Sequence, residues 1–152
     1  MKAKSGFTLV EILIVVVILG ILAAIVIPQF TEASTEAKTS SLCTDLQSVR
    51  SQIELYKIQH NDNLPGVSFG THTGAAGFEA AMTGQTDLYG AVGTDFGPYL
   101  QKLPSNQFVD VTISDDIDIE AGTAALGGGN CGWHFDTSTG QFHADDEAHV
   151  GL

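Results

Sequence analysis

The stretch that decides the fold is residues 7–28, FTLVEILIVVVILGILAAIVIP. Glu11 is the only ionisable side chain in it, and Ile12 to Ile27 runs without a polar side chain. Wound as a helix, residues 7–27 span about 31 Å, close to the hydrocarbon thickness of a bilayer. Lys2 and Lys4 precede the run and no basic residue follows closely, which predicts a single pass with the N-terminus in the cytoplasm. A cleaved secretory signal fits poorly, because it has a shorter apolar region and a small-x-small site at its far end. Here Ala23 and Ala24 lead into Ile25, Val26, Ile27 and Pro28. A plain signal anchor accounts for the length and the lysines but gives no reason for Glu11. A carboxylate in the apolar region costs about 2.5–3.5 kcal/mol on insertion scales, and less near the interface. Two readings of Glu11 stand: it snorkels to the headgroups, or it awaits a positive partner supplied by another subunit.

Working outward, Pro28 lacks the backbone donor a regular helix needs and kinks the segment on the simplest reading. Beyond it, Leu42, Leu46, Val49, Ile53 and Tyr56 recur at spacings of four and three, the mark of a helix with one apolar seam. Ala33 and Ala37, with Ser34, Ser40 and Ser41, keep the intervening stretch slim. Asn61-Asp62-Asn63 and Pro65-Gly66 supply a stop. The pattern predicts one helix from about Phe7 to His60, roughly 80 Å long. Lipid or sister helices must support its first part and a globular core its last.

The remainder differs in composition. The chain has 152 residues and a formal net charge of -12, yet residues 1–58 balance to zero. From residue 59 onward Lys102 is the one basic residue against thirteen acids. Such a surface excludes a nucleic-acid backbone as primary partner, since phosphate binding needs clustered Lys and Arg. A hydrophobic content of 43% excludes a wholly disordered acidic chain. Fifteen of the seventeen glycines lie after residue 60, so this part is rich in turns. Phe78 to Met82 reads as a helical turn or two between Gly77 and Gly84. Val109, Val111 and Ile113 alternate with polar residues as a half-buried strand, and Ile117 and Ile119 resume the alternation. Trp133 to Phe135 and Gln141 to Ala144 read as strands around a turn at Asp136 to Gly140. The expected fold is α+β: a long transmembrane-plus-amphipathic helix packed on a small antiparallel sheet. Its divisions are a leader over 1–6, an apolar helical segment over 7–28, an amphipathic continuation over 29–64, and an acidic head over 65–152.

No catalytic set emerges: there is no GxSxG, no phosphate-cradling Gly-x-x-x-x-Gly-Lys, and no persuasive Cys/His pair, so the chain reads as a non-enzyme. Cys43 and Cys131 are the only cysteines. In an oxidising compartment they can form a disulfide worth about 4.6 kcal/mol on the chain-entropy model; two buried free thiols are the other reading. Asp115, Asp116, Asp118 and Glu120 invite calcium, an ion suited to hard oxygen ligands. An EF-hand loop begun at Asp116 fails, however, with Ala121 where glycine is needed and Gly127 where glutamate is needed. Solvated surface acids are the competing account. The histidines at 60, 72, 134, 143 and 149 have no helical or zinc-like spacing and no cysteine pair beside them; surface or turn roles are the main reading, with one or two as weak ligands the other.

Lys4-Ser5-Gly6-Phe7-Thr8-Leu9-Val10-Glu11, followed by the apolar run with Gly20 and Pro28, resembles the prepilin N-terminus of type IV pilins and type II secretion pseudopilins. The resemblance implies that a prepilin peptidase cuts between Gly6 and Phe7 and N-methylates the new Phe7 amine. It also implies that Glu11 pairs with the Phe7 amine of a neighbour, and that Gly20 to Pro28 can lose helical order as subunits pack. Gly97-Pro98-Tyr99-Leu100, Leu103-Pro104 and the Gly132-Trp133…Thr139-Gly140 hairpin are similar to major-pseudopilin heads, although Ser105-Asn106-Gln107-Phe108 stands where that family commonly has Asp-Pro-Trp-Gly. Type IV pilins often pair two cysteines near the C-terminus, a pattern not matched here. Major pseudopilins carry calcium in C-terminal loops, yet no such motif transfers residue by residue. The implied partners are further copies of the chain, related minor pilins or pseudopilins, the peptidase, and an inner-membrane platform with a cytoplasmic ATPase. The implied location is the bacterial inner membrane with a periplasmic head, and after assembly a periplasmic or extracellular filament. The expected function is a type II secretion pseudopilin. The alternatives are a pilin for adhesion, motility or DNA uptake, and a monomeric anchored domain binding calcium or another ligand.

Overall fold

A computed structural model describes residues 6–68 and 71–152. Residues 1–5, with Lys2 and Lys4, lie outside the described part, as do the side chains at 67–72. The chain divides into two compact units, the first ending at Ser40 and the second spanning Ser41–Leu152. Helix α1, Leu9–Gln59, runs through both as one continuous element, with Pro28 inside it.

From Ile12 to Ile27 the helix is apolar on every side, and none of the described residues of the first unit is buried. Each large side chain from Leu9 to Ile27 is at least half exposed. The helix is long and apolar enough to cross a membrane. Gly20 to Pro28 is helical throughout. Past the proline, Thr31, Thr35 and Thr39 each donate a hydroxyl to the carbonyl four residues back, at 3.1, 3.1 and 3.0 Å. This satisfies the hydroxyls within the helix and lines them along one face.

The second unit has the core. The seam Leu42, Leu46, Val49, Ile53 and Tyr56 is buried as the periodicity predicts. It shares one apolar cluster with Phe78, Met82, Ile117, Trp133, Phe135, Phe142 and Ala144. Burying side chains of this size contributes about 1.5–3 kcal/mol each. Helix α1 ends where expected: Asn61 and Asp62 take left-handed φ of 55° and 63°. The Asp62 amide reaches back to the Lys57 carbonyl at 2.9 Å, as in a Schellman close. A short antiparallel pair follows, β1 (Val67–Ser68) with β2 (Thr71–His72). Helix α2, Gly74–Thr83, begins several residues before the expected turn and buries Phe78, Ala81 and Met82.

The three-stranded sheet, in order β3 (Ile117–Glu120), β4 (Trp133–Asp136) and β5 (Phe142–Ala144), confirms the α+β class and corrects its direction. Strands β4 and β5 are antiparallel, whereas β3 runs parallel to β4, with Asp118 opposite His134. The chain can return in parallel because the loop 121–132 is long enough to carry it back to the starting end. The strand expected at Val109 to Ile113 does not form. Asp110 instead accepts the Thr112 amide at 2.9 Å and its hydroxyl at 2.7 Å, closing a turn that leaves Val111 exposed.

Candidate functional site

The first site is the start of α1. Thr8 precedes the first helical residue, and Glu11 stands three positions on. The Glu11 Oε2 accepts the Thr8 amide at 2.8 Å and the Thr8 hydroxyl at 2.7 Å, while Thr8 Oγ1 accepts the Glu11 amide at 3.3 Å. This reciprocal capping box satisfies donors that a helix start otherwise leaves open, and it places a negative charge at the positive end of the helix dipole. Glu11 therefore has a task within its own chain that neither reading of the sequence foresaw. The Thr8-x-x-Glu11 spacing was the available signal. Phe7 is exposed beside it. A Cβ added at Gly6 or at Gly20 would meet nothing within 4 Å. The single chain gives no steric reason for either glycine, although Gly20 costs its helix about 1 kcal/mol relative to alanine.

The second site is the polar side of the sheet. Asp115 and Asp116 are exposed and are not among the donors that converge. Asp118 and Glu120, two apart on β3, meet His134 on β4, and one donor atom from each lies within 4.8 Å of the others. His134 is fully buried, and so is His60, which corrects the surface reading of both. His60 stacks on Tyr56 at 3.7 Å and faces the Thr86 hydroxyl at 2.9 Å. Burial pushes the Tyr56 hydroxyl up to about 12, helped by Tyr99 and Asp87.

Other acids of the head serve as internal anchors, a role the sequence did not reveal. Asp136 accepts from the Gly122 amide, the Ser138 amide and hydroxyl, and the Thr139 hydroxyl. Asp145 accepts from the Gly127 and Cys131 amides, at 2.8 and 3.3 Å. Asn106, where the usual Asp-Pro-Trp-Gly is missing, donates to the Gly132 carbonyl and to Asp146. Cys43 and Cys131 are both free thiols in the structure and only half-buried, so the bridge is not formed here. Burial, then the charges of Asp118, Asp145 and Asp116, pushes the Cys131 thiol up.

A capped apolar helix bearing one glutamate, continued by a seam that packs on an α+β head, defines a pilin-like protein. Residues 1–27 match the family model described as a prokaryotic N-terminal methylation motif. The chain is 36% identical over 103 residues to type II secretion system core protein G of Pseudomonas aeruginosa, covering 68% of this chain and 67% of that protein. It is 29% identical over 135 residues to core protein G of Aeromonas hydrophila, covering 80% and 89%. A fimbrial protein of Pseudomonas aeruginosa is 41% identical over 54 residues, covering 36% and 35%. No solved structure matches the chain. The chain belongs to the type II secretion core protein G family, the major pseudopilins.

Proposed function

We propose that the chain is the repeating subunit of a type II secretion pseudopilus. It is stored in the inner membrane through α1, with the head on the periplasmic side. A prepilin peptidase cuts it between Gly6 and Phe7 and methylates the new amine. A platform with a cytoplasmic ATPase then draws it into a filament with further copies and with minor pseudopilins. The observation that carries this reading is the likeness to core protein G, which reaches well beyond the N-terminal motif into the head. The two glycines fit the same account. Gly6 leaves an extended backbone unobstructed in a protease cleft, and Gly20 offers a bare face to a packed neighbour.

In the filament, Glu11 pairs with the Phe7 amine of the adjacent copy. Cutting at Gly6 keeps the Phe7–Thr8 peptide, so the capping box survives and holds the carboxylate at the helix start. Such a pair sets register more than it adds stability, because desolvation offsets much of the attraction. The test is Glu11→Ala in the native host. Mass spectrometry should still find the mature N-terminus at Phe7, while sheared filaments disappear. Normal filaments from that variant would remove the pairing role, and a mass retaining residues 1–6 in the parent would remove the processing claim. The fimbrial relative supports a second reading, a pilus subunit, over a smaller share of the chain.

A further inference from the structure

We propose that the β3–β4 pair holds a zinc-class divalent cation on Asp118, Glu120 and His134. Asp118 and Glu120 share one side of β3 because side chains two apart point the same way. The parallel register sets His134 directly opposite Asp118. Among the described residues, these three converge with one donor atom each inside 4.8 Å.

The second observation is the state of His134. Its side chain is fully buried, yet its Nδ1 has no hydrogen-bond partner. The other ring nitrogen, Nε2, lies 2.9 Å from the Gly122 carbonyl, which can only accept, so Nε2 carries the hydrogen. In the neutral ring Nδ1 is then a bare lone pair, and it faces Asp118 Oδ2 at 3.6 Å. That separation is too long for a hydrogen bond. It suits two donors on one ion: bonds of about 2.0–2.1 Å in a tetrahedral centre put donors roughly 3.3 Å apart. A backbone carbonyl holding the far N–H of a ligating histidine is the usual way a metal site fixes its tautomer. Buried side-chain acceptors rarely stay idle, and a cation here gives this one its partner.

The donor set selects the ion. An imidazole nitrogen suits zinc and neighbouring transition metals, whereas calcium prefers an all-oxygen shell. Three protein donors leave the fourth position to water. Access lies on the Asp118 side, where that carboxylate is 39% exposed. Glu120 keeps Oε1 on the Ala125 amide at 2.9 Å, so the glutamate also ties the crossover loop to the centre. The ion would lock β3 to β4, the one parallel pairing in the sheet.

The test uses the untagged full chain in detergent micelles, stripped with chelator and titrated calorimetrically with zinc chloride. One zinc should bind per chain, excess calcium should not displace it, and the His134 Nδ1 resonance should shift in nitrogen-15 spectra. The double variant Asp118→Asn/Glu120→Gln, changed at the solvent-facing donors, should bind at least tenfold more weakly with unaltered circular dichroism and Trp133 fluorescence. Cobalt substituted for zinc should show no thiolate charge-transfer band, since Cys131 is not a ligand. Undiminished binding by the double variant, no saturable binding by the parent, or displacement by excess calcium would overturn the proposal. These readouts come from the unassembled chain and are independent of whether filaments form.

Discussion

Replacing Asp136 by asparagine tests the claim that the head is held by its buried acids. The carboxylate is 3% exposed and accepts four bonds, at 2.7 Å from the Gly122 amide, 2.8 and 2.6 Å from Ser138, and 2.7 Å from Thr139. Burial pushes its proton affinity up, but the bonds from Ser138, Thr139 and Gly122 more than reverse this and hold the group well below the usual carboxylate range. Asparagine keeps the shape and one acceptor oxygen, loses the charge, and turns an NH2 group towards Thr139. Hydrogen bonds to a charged group contribute about 1.5–3 kcal/mol against 0.5–1.5 for neutral ones, and removing a buried charge recovers some desolvation. The net loss should be about 2 kcal/mol at pH 7. Because the native group is depressed, its contribution is complete above the unfolded value of about 3.9 and fades as pH falls below it. The gap between parent and Asp136→Asn should therefore shrink from pH 6 to pH 3. Urea unfolding of the full chain in mild detergent reads this through Trp133, the sole tryptophan, which is fully buried on the same strand. A gap that stays constant over that range, or is below about 0.5 kcal/mol at pH 7, refutes the reasoning.

Other outcomes follow from the same geometry. Thr8→Val removes the hydroxyl of the capping box and should cost the first turn of α1 about 1 kcal/mol, raising amide exchange at residues 9–12 about fivefold; unchanged exchange would contradict the cap. Gly132→Ala drives a Cβ into the Ser114 carbonyl oxygen, so the backbone must shift, at a cost of about 1–3 kcal/mol in the same urea assay. Wild-type stability in that variant would show that the 114–132 contact yields freely. Under denaturing conditions without reductant, a thiol reagent should titrate both Cys43 and Cys131. In the folded chain Cys131 should react faster as pH rises, because burial and the nearby acids hold its thiolate back at neutral pH. Titration of neither thiol would restore the disulfide.

The seam from Leu42 to Tyr56 was legible because a helix repeats its inward side at a fixed interval, and five residues kept to it. Strand direction was not legible. A period of two marks β3 at Ile117 and Ile119, but the alternation reads the same whichever way the partner runs. The alternation at Val109 to Ile113 misled for a related reason: a single carboxylate, Asp110, diverted the backbone into a turn. His134 could not be connected to Asp118 from spacing alone, since sixteen residues separate them and the register brings them together. Buried acids such as Asp145 look like solvated ones in a sequence, because their partners are amides donated by glycines and other residues far along the chain. The Thr8–Glu11 cap was local and could have been read.

Arg50, the chain's only arginine, donates from α1 to the Phe142 carbonyl at 2.9 Å and to the Leu152 carbonyl at 2.7 Å. It joins the helix to the last strand and to the end of the chain beside the apolar seam. A pull along this part of the helix would load the seam and this clasp in shear. Loading many contacts at once resists rupture better than peeling them one at a time. Within the second unit the Leu42–Tyr56 part of α1 is thus joined to the rest as in a lap joint, its contacts lying side by side along the helix rather than at one point.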